Sequence, residues 1–136
     1  MTDVTLVPLI IAAVAYIAVG YGWYHPRIFG AAWMRMSNIS PEAIEAGKKR
    51  MPATLIVALI AGTVVGYVLG WFGIAWGVYD WAGAVELAIW IWVGFVAPVL
   101  LGSVLWEKRP VKLFCINAGY WLVTLVVMSL IIASLS

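Results

Sequence analysis

The chain alternates long apolar stretches with short segments that hold its charged residues. Four stretches contain no Asp, Glu, Lys or Arg, and they cover residues 4–26, 51–79, 87–106 and 113–136. Each is long enough for an α-helix to cross the hydrocarbon of a bilayer, which takes roughly 20 residues. Hydrophobic residues follow one another continuously instead of alternating with polar ones, which excludes the strands of a membrane barrel. The pattern therefore predicts an all-α integral membrane protein, a bundle of four transmembrane helices.

The composition supports this fold class. Of the 136 residues, 65% are hydrophobic and 10% are charged, whereas soluble domains are about 25% charged. Too few residues remain outside the spans for a separate soluble domain, so residues 1–136 are expected to form a single membrane domain. We predict spans over residues 4–24, 52–72, 81–106 and 111–133.

The basic residues are distributed unevenly around these spans. All eight Lys and Arg residues lie in or beside the connections that follow the first and third spans. Because cytoplasmic loops of membrane proteins are rich in Lys and Arg, this bias predicts that both connections are cytoplasmic and both chain termini lie outside. No basic residue precedes the first span and no small-residue cleavage pattern follows it, so we interpret it as a retained span and not as a secretory signal.

The first cytoplasmic connection has helical patterning of its own. Apolar residues recur there at helical spacing, with basic residues beside them, as a short interfacial helix lying on anionic headgroups requires. Ser40 and Pro41 follow as a helix start. We predict a short interfacial helix in this connection and contact with anionic lipid, in preference to a dedicated partner site. The residues that form the pattern are Arg27, Ile28, Phe29, Ala32, Trp33, Arg35 and Met36.

Small residues indicate where helices pack. Gly62, Gly66 and Gly70 recur every four residues in the second span, a spacing that lets another helix approach closely. Gly94 and Pro98 share one face of the third span, where Pro98 also removes the hydrogen bond to the Gly94 carbonyl and predicts a kink. These rows serve either packing within one bundle or association with a second subunit. We expect a homo-oligomer, because four short helices alone form too thin a bundle to enclose much.

Two groups of motifs resemble a known family. They are Gly-Trp-Tyr-His-Pro at 22–26 with Phe29-Gly30 and Trp33, and Arg-Pro-Val-Lys-Leu-Phe at 109–114 with Ile-Asn-Ala-Gly-Tyr-Trp at 116–121. Together they resemble a bacterial family of small four-helix membrane proteins, catalogued as domain of unknown function 1761, over nearly the whole chain. The resemblance implies a four-span integral membrane protein, mostly bacterial, and we expect the chain in the bacterial cytoplasmic (inner) membrane. It implies no activity and gives no role to His25.

Glu86 is the first candidate for chemistry. It lies five residues past the start of the third span, about 7.5 Å along a helix, where an ionised carboxylate is costly unless it faces a polar interior. Tyr67 and Ser129 are expected at a similar depth and offer hydroxyl groups. We predict an ion or proton site formed by these three residues.

A second polar group is predicted at the cytoplasmic ends of the spans. For Ser103 and Asn117, hydrogen bonds between helices are the expected role, because lipid cannot satisfy them. Arg109 offers an alternative role for the group, that of holding an anionic headgroup, and His25 is its pH-sensitive member. The predicted cluster consists of Tyr24, His25, Ser103, Arg109, Asn117 and Tyr120.

Several function classes are disfavoured. One histidine and one cysteine cannot assemble the usual metal sites, and no serine–histidine–carboxylate arrangement or phosphate-binding glycine loop is present. We therefore predict no catalytic residue, no metal, no cofactor and no enzymatic activity. Nucleic-acid binding is not expected either, because membrane orientation accounts for the basic residues. Cys115 is expected to pack as a small hydrophobic side chain.

Two functions remain open. One is an oligomeric channel or transporter for a small cation or a proton-coupled solute, with Glu86 in the path. The other is a non-transporting scaffold or accessory subunit that binds anionic lipid and a partner helix. An intramembrane carboxylate is otherwise an unexplained cost, and this favours the channel or transporter.

Overall fold

A computed structural model describes residues 3–136, and within them the chain forms helices and no strand. Four helical segments are long and apolar enough to cross a membrane: α1, α4, the continuous segment Trp81–Leu105, and α7. The predicted all-α fold with four long apolar helices is thus confirmed. The elements in chain order are α1 (Leu6–Trp23), a first π-helical turn (Pro26–Gly30), α2 (Ala31–Met36), α3 (Pro41–Lys49), α4 (Met51–Ala75), α5 (Trp81–Ile91), a second π-helical turn (Trp92–Val96), α6 (Ala97–Leu105) and α7 (Val111–Leu135).

The second π-helical turn lies directly ahead of Pro98. Its hydrogen bonding is shifted by one residue, so that the backbone N–H of Ala97 bonds the carbonyl of Trp92. Proline has no N–H to continue a regular helix, and π-helical turns are common where the backbone ladder is interrupted. Where a kink is predicted at Pro98, the structure has a widened π-helical turn between α5 and α6.

The connection between α4 and α5 is a tight turn. α4 continues to Ala75, past the predicted end at residue 72, and the turn follows at Gly77, whose φ of +68° is a conformation that favours glycine. Asp80 then caps α5, because its Oδ1 accepts a hydrogen bond of 2.8 Å from the backbone N–H of Gly83. A left-handed glycine and an aspartate cap thus reverse the chain within five residues.

Helix α7 is the centre of the bundle. It packs along α1 on one side and along α5 on the other, while α1 also packs along α4. The buried core lies between these helices and is mainly apolar, with Leu9, Leu69, Leu87, Met128 and Ile132. Among the described residues, Thr124 and Ser129 are the buried polar side chains. Because α4 and α5 meet only weakly, the bundle is open on the side between α4 and the α5–α6 segment.

The glycine row of α4 packs inside the chain. Gly62, Gly66 and Gly70 are buried, and a Cβ atom at Gly62 would lie 3.0 Å from Cδ1 of Tyr16 and 3.2 Å from the Cα of Ala13. Only glycine allows α1 and α4 to come this close. Of the two roles left open by the sequence, packing within one bundle or association with a second subunit, the structure shows the first for this row.

The second small-residue row faces outward. Gly94 and Pro98 are exposed, and a Cβ atom at Gly94 would meet nothing within 4 Å. The structure therefore shows no helix packing by these residues within the described chain, and the packing role predicted for them stays a prediction.

The two ends of the bundle differ in charge. We call the end that holds residues 24–50 and 106–112 the basic end, because all eight Lys and Arg residues lie there. The opposite end, which we call the acidic end, holds the turn at residues 76–80, Asp3, and Glu86 near the start of α5.

The first connection contains the predicted helix start, since the Oγ of Ser40 accepts a hydrogen bond from the backbone N–H of Ala43.

Candidate functional sites

The three residues predicted to form an ion or proton site do not converge. Ser129 is fully buried, and its hydroxyl donates a hydrogen bond of 2.8 Å to the carbonyl of Ala84. Ala84 lies on the buried face of α5, whereas Glu86 lies on the exposed face of the same helix. Tyr67 is 52% exposed on α4. Ser129 thus joins α7 to α5, and Glu86 does not face the interior of the bundle.

Glu86 instead borders a hollow at the acidic end. The hollow has a volume of about 690 Å³ and lies between the α4–α5 turn and the exposed face of α5. Aromatic side chains make up much of its wall, and Asp80 lies at its edge as the cap of α5. Among the described residues, no group of three His, Cys, Asp or Glu side chains is placed to hold a metal ion. We call this feature the acidic hollow; it is lined by Trp76, Gly77, Val78, Tyr79, Asp80, Gly83, Glu86 and Trp90.

At the basic end, three of the predicted residues do meet. The hydroxyl of Tyr24 donates a hydrogen bond of 2.6 Å to Oδ1 of Asn117, and the rings of Tyr24 and Tyr120 lie 5.3 Å apart. Tyr120 in turn donates a hydrogen bond of 3.1 Å to the carbonyl of Tyr16. We call Tyr16, Tyr24, Asn117 and Tyr120 the tyrosine cluster. It bridges α1 and α7 with hydrogen bonds between helices, the role expected for Asn117.

The chemistry of the tyrosine cluster is that of neutral hydrogen bonds. Tyr24 is the first residue after α1, where burial, and secondarily the nearby Tyr120, raises the pKa of its phenol to about 12. A phenol at its ordinary pKa of about 10 already keeps its proton at neutral pH, so the Tyr24 hydroxyl remains a donor to Asn117. No ionisation near pH 7 is available from this phenol, which favours a packing role.

The other predicted members lie outside this cluster. Nδ1 of His25 accepts a hydrogen bond of 3.2 Å from the backbone N–H of Arg27 and caps the first π-helical turn. The hydroxyl of Ser103 bonds the carbonyl of Leu100 in its own helix, at 2.8 Å. Arg109 is exposed. Cys115 is also exposed within the chain, so the packing role expected for it is not seen there.

Two tryptophans form further hydrogen bonds between helical segments. The indole N–H of Trp23 donates to the carbonyl of Ile116 at 2.9 Å, and that of Trp92 donates to the carbonyl of Ala118 at 2.8 Å. Glycine at position 119 leaves room for the Trp23 ring, because a Cβ atom there would lie only 3.0 Å from the ring. Sequence reasoning missed these contacts. The signal was available, because an indole N–H inside an apolar segment needs an acceptor.

The open side of the bundle contains an apolar groove. It has a volume of about 570 Å³ and runs between α4 and the α5–α6 segment, with α7 as its floor. Its wall is almost entirely apolar. We call it the side groove; its lining includes Val64, Val68 and Phe72 of α4, Phe95 and Val99 opposite them, and Trp121 and Leu125 of α7.

Comparison with family models gives a match for this chain. The model of a family described as "Protein of unknown function (DUF1761)" matches residues 7–133, nearly the whole chain. Curated proteins and solved structures give no match. The family match confirms the resemblance seen in the two motif groups and, with the four apolar helices, is consistent with a multi-pass membrane protein. The chain belongs to the DUF1761 family.

Proposed function

We propose that this protein is a non-transporting membrane scaffold that pairs with a second copy of itself through the side groove. This corresponds to the second of the two functions left open by the sequence. The scaffold would hold anionic lipid at its basic end and carry no enzymatic activity. The observation that carries the proposal is the side groove, an apolar hollow that the chain does not fill.

The shape of the groove favours a helix as its occupant. Next to it, Gly94 leaves open space where a side chain would stand, while Phe95 is 70% exposed and Val99 is 72% exposed. In lipid, helices associate mainly where small residues let backbones approach and neighbouring side chains fit the gap. We call the open space at Gly94 the notch. The notch supplies the gap for such a contact, and the large exposed side chains beside it supply the groups that fill a gap. In a twofold pair, Phe95 of each copy would pack into the notch of the other.

The alternative function needs a polar path, and the described residues give it little support. Glu86 lies outside the bundle, and the hydroxyl of Ser129 is engaged in a buried hydrogen bond to α5. Most side chains buried between the helices are apolar, and among the described residues only Thr124 and Ser129 are buried and polar. A path through one copy of the chain would have to open this core.

The orientation belongs to the same proposal. The charge difference between the two ends supports a basic end in the cytoplasm of a bacterial cell and an acidic end outside the inner membrane. The exposed basic residues of the first connection would then contact anionic headgroups, with α2 at the interface. A cysteine at Ser136 should react with a membrane-impermeant maleimide in intact cells, and one at Ser40 should not, both in a Cys115→Ser background. The reverse labelling would contradict this orientation.

Disulfide cross-linking in native membranes tests the pairing. In the Cys115→Ser background, single cysteines replace groove residues in turn, at Val64, Val68, Phe95 and Val99. We expect oxidation to give dimers from at least one of these positions, because a disulfide needs Cβ atoms about 4 Å apart. Val14, which is 54% exposed on α1, is the matched control and should remain monomeric.

A second variant separates pairing from folding. Gly94→Leu fills the open notch without a clash inside the chain, so the cross-linked fraction should fall while the resistance to unfolding is unchanged. If no groove position forms dimers, or Val14→Cys forms them equally well, the pairing is wrong. Proton or cation flux through purified protein in liposomes that disappears in Glu86→Gln would overturn the non-transporting role.

A further inference from the structure

We propose that the acidic hollow binds an organic ammonium group, with the Glu86 carboxylate as its counter-ion and the aromatic side chains of Trp76, Tyr79 and Trp90 as its wall. The ligand class covers the ethanolamine or choline headgroup of a lipid and free ammonium compounds. The inference is independent of the side groove, which lies between other faces of the bundle.

The charges around the acidic hollow favour a cation. Glu86 lies on the exposed face of α5, about 7.5 Å from the start of that helix. The sequence contains no Lys or Arg between Arg50 and Lys108, and the described structure gives Glu86 no ion pair. A carboxylate at the edge of an apolar layer is costly unless a cation neutralises it. A cation from outside the chain would remove this cost.

The aromatic wall of the hollow suits an alkylated ammonium group. Trp76 and Tyr79 come from the α4–α5 turn, and Trp90 lies one turn beyond Glu86 on α5. Aromatic faces attract cations through their quadrupole, and alkylated ammonium groups are recognised in this way. The hollow, at about 690 Å³, is large enough for such a headgroup.

The same lining disfavours a metal ion. Calcium takes six to eight oxygen ligands, and here one oxygen of Asp80 already caps α5 at Gly83. The carboxylate of Glu86 and the second oxygen of Asp80 remain as carboxylate donors, fewer than the six to eight oxygens that calcium takes, and aromatic side chains make up much of the rest. Such a wall suits a large, weakly hydrated cation.

Nuclear magnetic resonance of the full chain tests this site. Indole N–H signals of ¹⁵N-labelled protein in maltoside micelles are followed during titration with tetramethylammonium chloride, with sodium chloride at equal ionic strength as reference. A parallel series uses nanodiscs that contain phosphatidylethanolamine or phosphatidylglycerol. We expect the Trp76 and Trp90 signals to shift in a saturable way with an ammonium source only.

Variants assign the response to the proposed residues. Glu86→Gln and Trp90→Leu should each weaken binding roughly fivefold or more, as expected for the loss of a charge partner or of a cation–π contact. Glu107→Gln and Trp71→Leu are the matched controls and should bind as the parent does. The indole spectrum without ligand shows whether each variant is folded.

The outcomes separate the source of the ammonium group. A Glu86-dependent response to phosphatidylethanolamine alone supports a lipid headgroup, and a response to tetramethylammonium as well supports a general ammonium site. Equal shifts with sodium chloride, or ammonium binding that persists in Glu86→Gln, would overturn the proposal.

Discussion

Replacing Gly62 with alanine tests whether close contact between α1 and α4 holds the bundle together. The added Cβ atom would lie 3.0 Å from Cδ1 of Tyr16 and 3.2 Å from the Cα of Ala13. Carbon atoms attract best at about 3.5–4.0 Å, so α1 would have to move away by roughly half an ångström. The Tyr16 ring can rotate, but the Ala13 contact is to backbone and cannot be relieved by a side-chain movement.

The magnitude follows from two opposing terms. Overpacking of a well-packed interior costs about 1–3 kcal/mol, while alanine in place of glycine within a helix returns about 1 kcal/mol. Gly22→Ala is the matched control, since this glycine lies in α1 and a Cβ atom there meets nothing within 4 Å. Because the helix term is common to both variants, the free energy of unfolding of Gly62→Ala should be lower than that of Gly22→Ala by about 1–3 kcal/mol.

The assay is reversible unfolding in maltoside micelles titrated with dodecyl sulfate, followed by circular dichroism. Gly66→Ala provides a graded comparison, because its nearest neighbour is Cδ2 of Leu9 at 3.3 Å, the flexible end of a side chain. We expect a smaller loss there than at Gly62. If Gly62→Ala proves as stable as Gly22→Ala, the close approach of α1 and α4 does not limit stability and the packing argument is refuted.

Two further predictions concern buried hydrogen bonds and use the same unfolding assay. Ser129→Ala removes the bond from α7 to the backbone of α5 and should lower the free energy of unfolding by about 0.6–1.7 kcal/mol, whereas Ser134→Ala, at an exposed position, should have no effect. Tyr24→Phe removes the bond to Asn117 and should cost about 1 kcal/mol, whereas Tyr21→Phe, whose ring is 79% exposed, should be neutral. A loss of equal size in either control would show that these bonds do not stabilise the bundle.

The candidate sites show where sequence reasoning stops. The apolar stretches predict helices, yet whether Glu86 faces inward depends on which side of α5 meets α7, and the face buried there carries Ala84, Leu87 and Ala88. Small residues and leucine permit close packing on that face, so Glu86 on the opposite face remains outside. The tyrosine cluster was predictable in part, because polar groups at the ends of neighbouring spans need partners. The hydrogen bond to Tyr16 was not predictable, because Tyr16 accepts it with its backbone carbonyl and every residue has such a carbonyl.

By itself the sequence determined the number of apolar helices, the side of the bundle that carries the basic residues, and the family. These properties follow from the composition of the chain and from the spacing of its hydrophobic and charged residues, which the sequence gives directly. The tertiary structure decided which helices touch. The glycines of α4 are buried against α1 while Gly94 is left exposed, although both rows are small residues at the same spacing. Helix packing in an apolar medium depends on the fit of side chains from distant parts of the chain, and a pattern within one helix does not contain its partner.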